Sequence, residues 1–210
     1  MSRVVITMTG PTGTVYWLRA LELLLNTESE VHAVLPEASR RGISQEMGLE
    51  LPVDPAGQKA ALLRYWIDRA PRRAVPERVK RRFFCHDPGD AEAALAGPEV
   101  PGVLIIPCAM PTVAAIATGL GGDLIEKAAG TALRMGRPLV VVPRESPLGR
   151  IDLRNLLTLS EAGARVHPAC PVFGPQPKDL LELVDSVVVA ALKPLLGDEA
   201  AEAMAAARTQ

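Results

Sequence analysis

Residues 4–25 read VVITMTGPTGTVYWLRALELLL. Val4–Met8 is a short, β-branched run, and Thr9-Gly10-Pro11-Thr12-Gly13 breaks it. From Thr14 the apolar residues return at helical spacing, with Trp17, Leu21, Leu24 and Leu25 on one face. A strand passing through a glycine-bounded turn into a helix is the first half of a βαβ unit, and the rest of the chain repeats that alternation. Strands are expected at Glu30–Leu35 (EVHAVL), weakly at Arg82–Cys85, and at Arg165–His167. Val103–Pro107 (VLIIP) and Leu139–Pro143 (LVVVP) are unbroken apolar runs, as in strands buried on both faces. Helices are expected at Glu37–Met47, Thr112–Thr118, Asp123–Met135, Ile151–Ala162 and Lys178 to about Leu196, with a turn and short helix in HDPGDAEAALAGP. Alternating strands and helices imply right-handed crossovers. The expected fold is α/β, a Rossmann-like three-layer sandwich with a mostly parallel sheet. The 210 residues suit one domain. Residues 51–80, with Pro52, Pro55, Pro71 and Pro76 and a basic helix-like piece, LLRYWIDRAPRR, read as a surface excursion, and 198–210 as an alanine-rich tail.

Composition narrows the function classes. The chain is 48% hydrophobic but only 3% aromatic, so its core is mostly aliphatic. Lys plus Arg is 23 against 24 Asp plus Glu, which leaves no basic excess for nucleic acid. No apolar run approaches the roughly 18 residues of a membrane span, and the N-terminus lacks the pattern of a secretory signal. Cys85, Cys108 and Cys170 are too dispersed for a disulfide framework or a metal cluster, so no metal is expected and the reducing cytoplasm is the default compartment.

In an open α/β sheet, ligands bind beyond the carboxyl ends of the strands, where the strand order reverses. Three strand-to-helix turns deliver unusual residues to that edge. In the first, Gly10, Pro11, Thr12 and Gly13 open a helix whose N-terminal amides and dipole suit a phosphate. The second is Pro107-Cys108-Ala109-Met110-Pro111-Thr112, with Thr112 at an N-cap position. The third, Pro143-Arg144-Glu145-Ser146-Pro147, adds a guanidinium able to bind an anion through two nitrogens. Taken singly, these are a tight turn, a helix cap and a surface ion pair. Glu46 alone reads as a solvated charge, His86 and His167 as turn or core residues, and Cys108 as packing. Arg69, Arg72, Arg73, Arg78, Lys80, Arg81 and Arg82 read as a solvated face. The topology brings the three turns together, and that convergence points to a small-molecule site.

The opening stretch, the block VLIIPCAMPTVAAIATGLGGDLIEKAAGTALRMGRPLVVVPRESPLGRIDLRNLLTLSEAGARVHPACPVF and the end LVDSVVVAALKPLLG resemble the flavin prenyltransferase family. RPLVVVPRESPL is the most specific run, and weaker likeness covers nearly the whole chain. The resemblance implies an FMN-binding enzyme, usually a homododecamer. Such an enzyme joins a dimethylallyl group from dimethylallyl phosphate to FMN, making a cofactor for a partner decarboxylase. It also implies that Gly10, Pro11 and Thr12 hold the flavin, that Ala109, Met110, Pro111 and Thr112 form a second flavin turn, and that Arg144 contacts FMN. Glu46 and Glu145 match two acidic active-site residues, and Arg134 stands where a lysine lies near the substrate phosphate. Subunit contact is expected around Ala114, Ala115, Ala117, Gly119, Gly121 and Gly122.

The chain departs from the family at four places. A tyrosine is Gly174, an arginine on the last helix is Ala190, and two flavin-site serines are Pro36 and Ala109. Backbone amides and Arg144 would keep FMN, whereas the prenyl-phosphate site has lost a phenol and a cation. Prenyl transfer is the leading expectation. A flavin-dependent reductase, like the dihydromethanopterin reductases of this fold, and a non-catalytic flavin-binding protein are the alternatives, since fold analogy does not decide among them.

Overall fold

The computed structural model describes residues 3–69, 76–89, 102–173 and 176–197. Gly174, Arg72, Arg73, the helix expected within 90–98 and the tail 198–210 lie outside them. Among the described residues the strands are β1 (Arg3–Thr7), β2 (Glu30–Val34), β3 (Phe83–His86), β4 (Gly102–Cys108), β5 (Leu139–Pro143) and β6 (Arg165–Val166). The helices are α1 (Thr14–Leu25), α2 (Glu37–Met47), α3 (Pro55–Arg69), α4 (Glu77–Arg82), α5 (Met110–Ala117), α6 (Leu124–Arg134), α7 (Arg150–Glu161) and α8 (Leu180–Leu196).

The six strands form one sheet in the order β3-β2-β1-β4-β5-β6, and every pairing is parallel. Order therefore reverses between β1 and β4, where a crevice opens at the carboxyl ends. Strand residues alternate between two cores. Val4, Ile6, Leu104, Ile106, Val140 and Val142 pack with α1, α3 and α8. Val5, Val103, Ile105, Leu139 and Val141 pack with α5, α6 and α7. Both faces of the sheet are covered, which is why β4 and β5 read as continuous apolar runs.

The stretch that read as an excursion carries α3, whose Leu62, Leu63 and Trp66 are buried with α1 in the first core. Pro55 is the first helical residue, where the missing N–H would have had no partner anyway. Between α1 and α8, Arg19 Nε lies 2.6 Å from Asp185 Oδ1 and Arg19 Nη1 lies 2.8 Å from Glu22 Oε2. The arginine and aspartate side chains are 4% and 2% exposed, so this ion pair is sealed inside the fold.

His86, expected as an isolated turn or core residue, has a partner. Glu30 Oε1 lies 2.8 Å from His32 Nε2, and His32 Nδ1 lies 2.8 Å from His86 Nε2. A carboxylate only accepts, so with neutral rings His32 donates to Glu30 and accepts from His86. Burial pushes the His86 ring down to about 4, with the His32 charge acting the same way. Burial also lowers His32, against the pull of Glu30. Both rings thus bind protons less readily folded than unfolded, where histidine titrates near 6.5. As pH falls from about 6.5 toward 4 the unfolded chain takes up more protons, and stability present at neutral pH is lost. Urea denaturation at pH 7 and pH 4.5 should differ by about 1–2 kcal/mol once solvent screening of these partly exposed rings is counted. His86→Gln should shrink that difference, and an unchanged difference would acquit the pair.

Candidate active site

The three turns meet at the β1/β4 reversal. Gly10 and Gly13 have φ of 89° and 81°, a left-handed backbone that lets β1 turn sharply into α1. A Cβ at Gly13 would lie 2.8 Å from Pro107 Cγ and 2.9 Å from Arg144 Cδ, so this glycine admits both other turns. The Thr9 amide donates to Pro107 O at 3.0 Å, and the Ala109 amide donates to Thr9 Oγ1 at 2.9 Å. Arg144 Nη1 donates to Thr12 Oγ1 at 2.9 Å, which ties the third turn to the first. Thr12, Pro111 and Arg144 are exposed at this edge, Ala109 and Thr112 are half-buried, and Met110 is buried. Pro36 ends the β2 side of the edge and precedes α2.

Four expectations change. The amides that open α1 are not free, because both oxygens of Glu46 accept from Gly13 N at 3.0 Å. Glu46 Oε2 also accepts from Thr14 N and from Thr14 Oγ1 at 2.8 Å each. Burial would raise this carboxyl. The Thr14 and Gly13 amides, the Thr14 hydroxyl and the Arg144 charge together hold it below the ordinary carboxylate range. Glu46 is therefore a bound carboxylate, not a merely solvated one. Thr112 does not cap its helix either: α5 begins at Met110, two residues earlier, and Ala109 holds the cap position. Arg144 turns to Thr12 while Glu145 accepts the Ser146 amide at 3.0 Å, so among the described residues they form no ion pair. Finally, Ala115 is only 8% exposed and packs inward, which removes it from the expected contact surface.

Arg134 is at the opposite edge. It ends α6, the helix that descends to the start of β5, whereas Arg144 follows the end of that strand. Five strand residues at about 3.3 Å each put the two edges on the order of 15 Å apart. Arg134 Nη2 bonds Thr131 Oγ1 of its own helix at 2.8 Å. Ala190 is exposed on α8, in a groove it shares with Lys178 and Lys193.

Sequence reasoning missed three contributors. Ser39 Oγ donates to Met8 O at 2.8 Å. Gly42 lies so close to the first turn that a Cβ there would stand 2.0 Å from Pro11 O. A glycine inside a helix costs about 0.5–1 kcal/mol relative to alanine, so Gly42 in EASRRGISQEM was itself a signal of close approach. Tyr16, half-buried one turn into α1, feels Arg144 and Cys170; burial raises its phenol and the arginine opposes that. Cys108 is fully buried and burial pushes its thiol up to about 12, which leaves no nucleophile there.

A family model described as Flavoprotein matches residues 1–192. The flavin prenyltransferase UbiX of Synechocystis sp. is 37% identical over 196 residues, covering 92% of this chain and 91% of that protein. This chain belongs to the flavoprotein family, among the UbiX flavin prenyltransferases. The UbiX flavin prenyltransferase of Pseudomonas aeruginosa is 38% identical over 194 residues, covering 92% of this chain and 88% of its own. Two solved flavoproteins share the architecture. A dodecameric FMN-dependent UbiX-like decarboxylase from Escherichia coli O157:H7 matches with a TM-score of 0.72 and 29% identity, covering 91% and 93% of the two chains. AnUbiX in complex with FMN and dimethylallyl pyrophosphate matches with a TM-score of 0.74 and 28% identity, covering 92% of each.

Proposed function

We propose that this flavoprotein is a flavin prenyltransferase, binding FMN at the β1/β4 crevice and joining to it a dimethylallyl group from dimethylallyl phosphate. The observation that carries the reading is the Arg144–Thr12 bond, which sets a cation and a hydroxyl across the crevice where the sheet order reverses. The residues fit a flavin phosphate and ring. Gly10 and Gly13 keep side chains out of the crevice, Arg144 is exposed with guanidinium donors beyond the one given to Thr12, and Ala109 and Pro111 offer an apolar wall with Met110 buried behind them. Bound reduced FMN supplies the electron-rich ring that accepts the allyl group.

The chain's own groups do the rest. Arg144 and Thr12 neutralise and orient the flavin phosphate, and a further cation at the departing prenyl phosphate would stabilise the charge that develops there. Glu145, exposed beside Arg144, is placed to hold or move a proton at its carboxylate. Arg134 cannot serve this edge from its own chain, so we assign it to the crevice of a second copy in a homo-oligomer. The dodecameric relative supports that assembly. With all three cysteines free, we assign the cytoplasm, and a decarboxylase that uses the prenylated flavin as the downstream partner.

Anaerobic incubation with reduced FMN and dimethylallyl phosphate, followed by mass spectrometry of the extracted flavin, tests the reading. Prenylated FMN and released inorganic phosphate are expected. Bound but unmodified FMN would overturn prenyl transfer in favour of a reductase or a flavin-binding protein.

A further inference from the structure

Arg144 leaves the end of β5 and passes over the first turn of α1. A Cβ at Gly13 would lie 2.9 Å from Arg144 Cδ and 3.3 Å from Arg144 Nε, so the arginine stem crosses there. Helical side chains lean back toward the N-terminus, and residues three and four positions on share a face with Gly13. Those residues are Tyr16 and Trp17. Trp17 is fully buried, whereas Tyr16 is half-buried at the rim of the first core. The Ala169 amide donates to Pro143 O at 3.1 Å, which lays that segment beside the same strand end, and Ala169 borders the same core. Tyr16 thus stands where the core meets the crevice, within electrostatic reach of both Arg144 and Cys170.

The Tyr16 hydroxyl has no hydrogen-bond partner among the described residues. Buried tyrosine hydroxyls usually find one. Burial raises this phenol, so at neutral pH it keeps its proton and can donate. Arg144 gives one donor to Thr12 and has others beyond it. A phosphate monoester offers more acceptor oxygens than one guanidinium can meet. A neutral hydroxyl beside the arginine adds a hydrogen bond without another charge to desolvate.

We propose that Tyr16 is a phosphate-binding residue of the crevice: its hydroxyl donates to a phosphate monoester that Arg144 holds. On the FMN reading above, on which this rests, that phosphate is the flavin's. The phosphate of the prenyl donor has the same chemistry.

The test is Tyr16→Phe, which keeps the ring in its packing and removes only the oxygen. FMN and riboflavin differ only in the phosphate, and both are titrated by quenching of flavin fluorescence. In Tyr16→Phe the Kd for FMN should rise about tenfold, the effect of one hydrogen bond to a charged group. The Kd for riboflavin should stay within about twofold. In an Arg144→Met background the same substitution should change the FMN Kd by less than about twofold, because the anion is no longer held against the phenol. Calorimetric titration of dimethylallyl phosphate into the FMN complex separates the two sources of phosphate. A loss confined to that ligand would keep Tyr16 as a phosphate donor and move it to the prenyl donor.

Equal losses for FMN and riboflavin would mean that the ring acts by shape alone. Unchanged Kd values for both FMN and dimethylallyl phosphate would mean that the hydroxyl meets no phosphate. Either result, or a full loss that persists without Arg144, overturns the proposal. If wild type binds no flavin, the FMN reading falls, and dimethylallyl phosphate titrated into the flavin-free protein decides Tyr16 separately. A weaker Kd in Tyr16→Phe would then keep the assignment, and an equal Kd or no binding would sink it.

Discussion

Gly42→Val is expected to weaken FMN binding by about a hundredfold, a change of about 2.8 kcal/mol, and to cost about 2–3 kcal/mol of stability as overpacking. Even the first carbon of the new side chain would stand 2.0 Å from Pro11 O, and backbone cannot yield as a side chain can. α2 must back away, taking Ser39 from Met8 O and Glu46 from Gly13 and Thr14. Gly130→Ala is the contrast. It also lies inside a helix, but its Cβ would meet only the flexible end of Arg134 at 3.3 Å. That variant should be neutral or more stable by up to about 1 kcal/mol. Calorimetric FMN titration and urea denaturation of both variants decide the matter. A Gly42→Val protein that binds FMN like wild type would show that α2 does not set the turn.

The largest loss of stability is expected from Asp185→Ala. Arg19 would remain 4% exposed with its carboxylate partner gone, and breaking a buried pair from one side costs about 3–5 kcal/mol. Glu22, 27% exposed and 2.8 Å from Arg19 Nη1, still offers a counter-charge, which puts the expectation near the lower figure. Since whole domains are stable by only about 5–15 kcal/mol, the urea midpoint should fall sharply. The double variant Arg19→Met/Asp185→Leu should recover most of the loss, because apolar groups of similar bulk need no partner there. A midpoint shift equivalent to less than about 1 kcal/mol in Asp185→Ala would mean that water reaches the pair.

Much of the fold was legible because its decisive signals are local. VLIIP and LVVVP show strands covered on both faces, and the change of period across Gly10–Gly13 shows a strand entering a helix. The Arg144 turn was legible for the same reason. α3 showed only as the helix-like piece LLRYWIDRAPRR, because Pro55, read as a breaker, is in fact its first residue. The Glu46 seat was hidden because it joins residues 33 positions apart, and a charged residue near a helix end has no local mark of its partner. Arg134 shows a different limit. Its place at the end of a helix feeding β5 was readable, and parallel topology then dictates the opposite edge. The resemblance to the family singled out the residue, but its place on the opposite edge keeps one chain from using it at its own crevice.

The Arg19–Asp185 contact spans 166 positions and so also bears on the order of events during synthesis. β1, α1 and β2 leave the ribosome early, and β1 and β2 can begin to pair. Until α8 is made, however, the arginine on α1 has only Glu22 of its own helix as a counter-charge and lacks Asp185. The first core is complete only once α8, which supplies Val184, Val187, Val188, Ala191 and Leu192 to it, has been made. A product interrupted before α8 would lack that part of the first core and leave Arg19 with Glu22 alone, a surface that quality-control proteases and chaperones can distinguish from the finished protein.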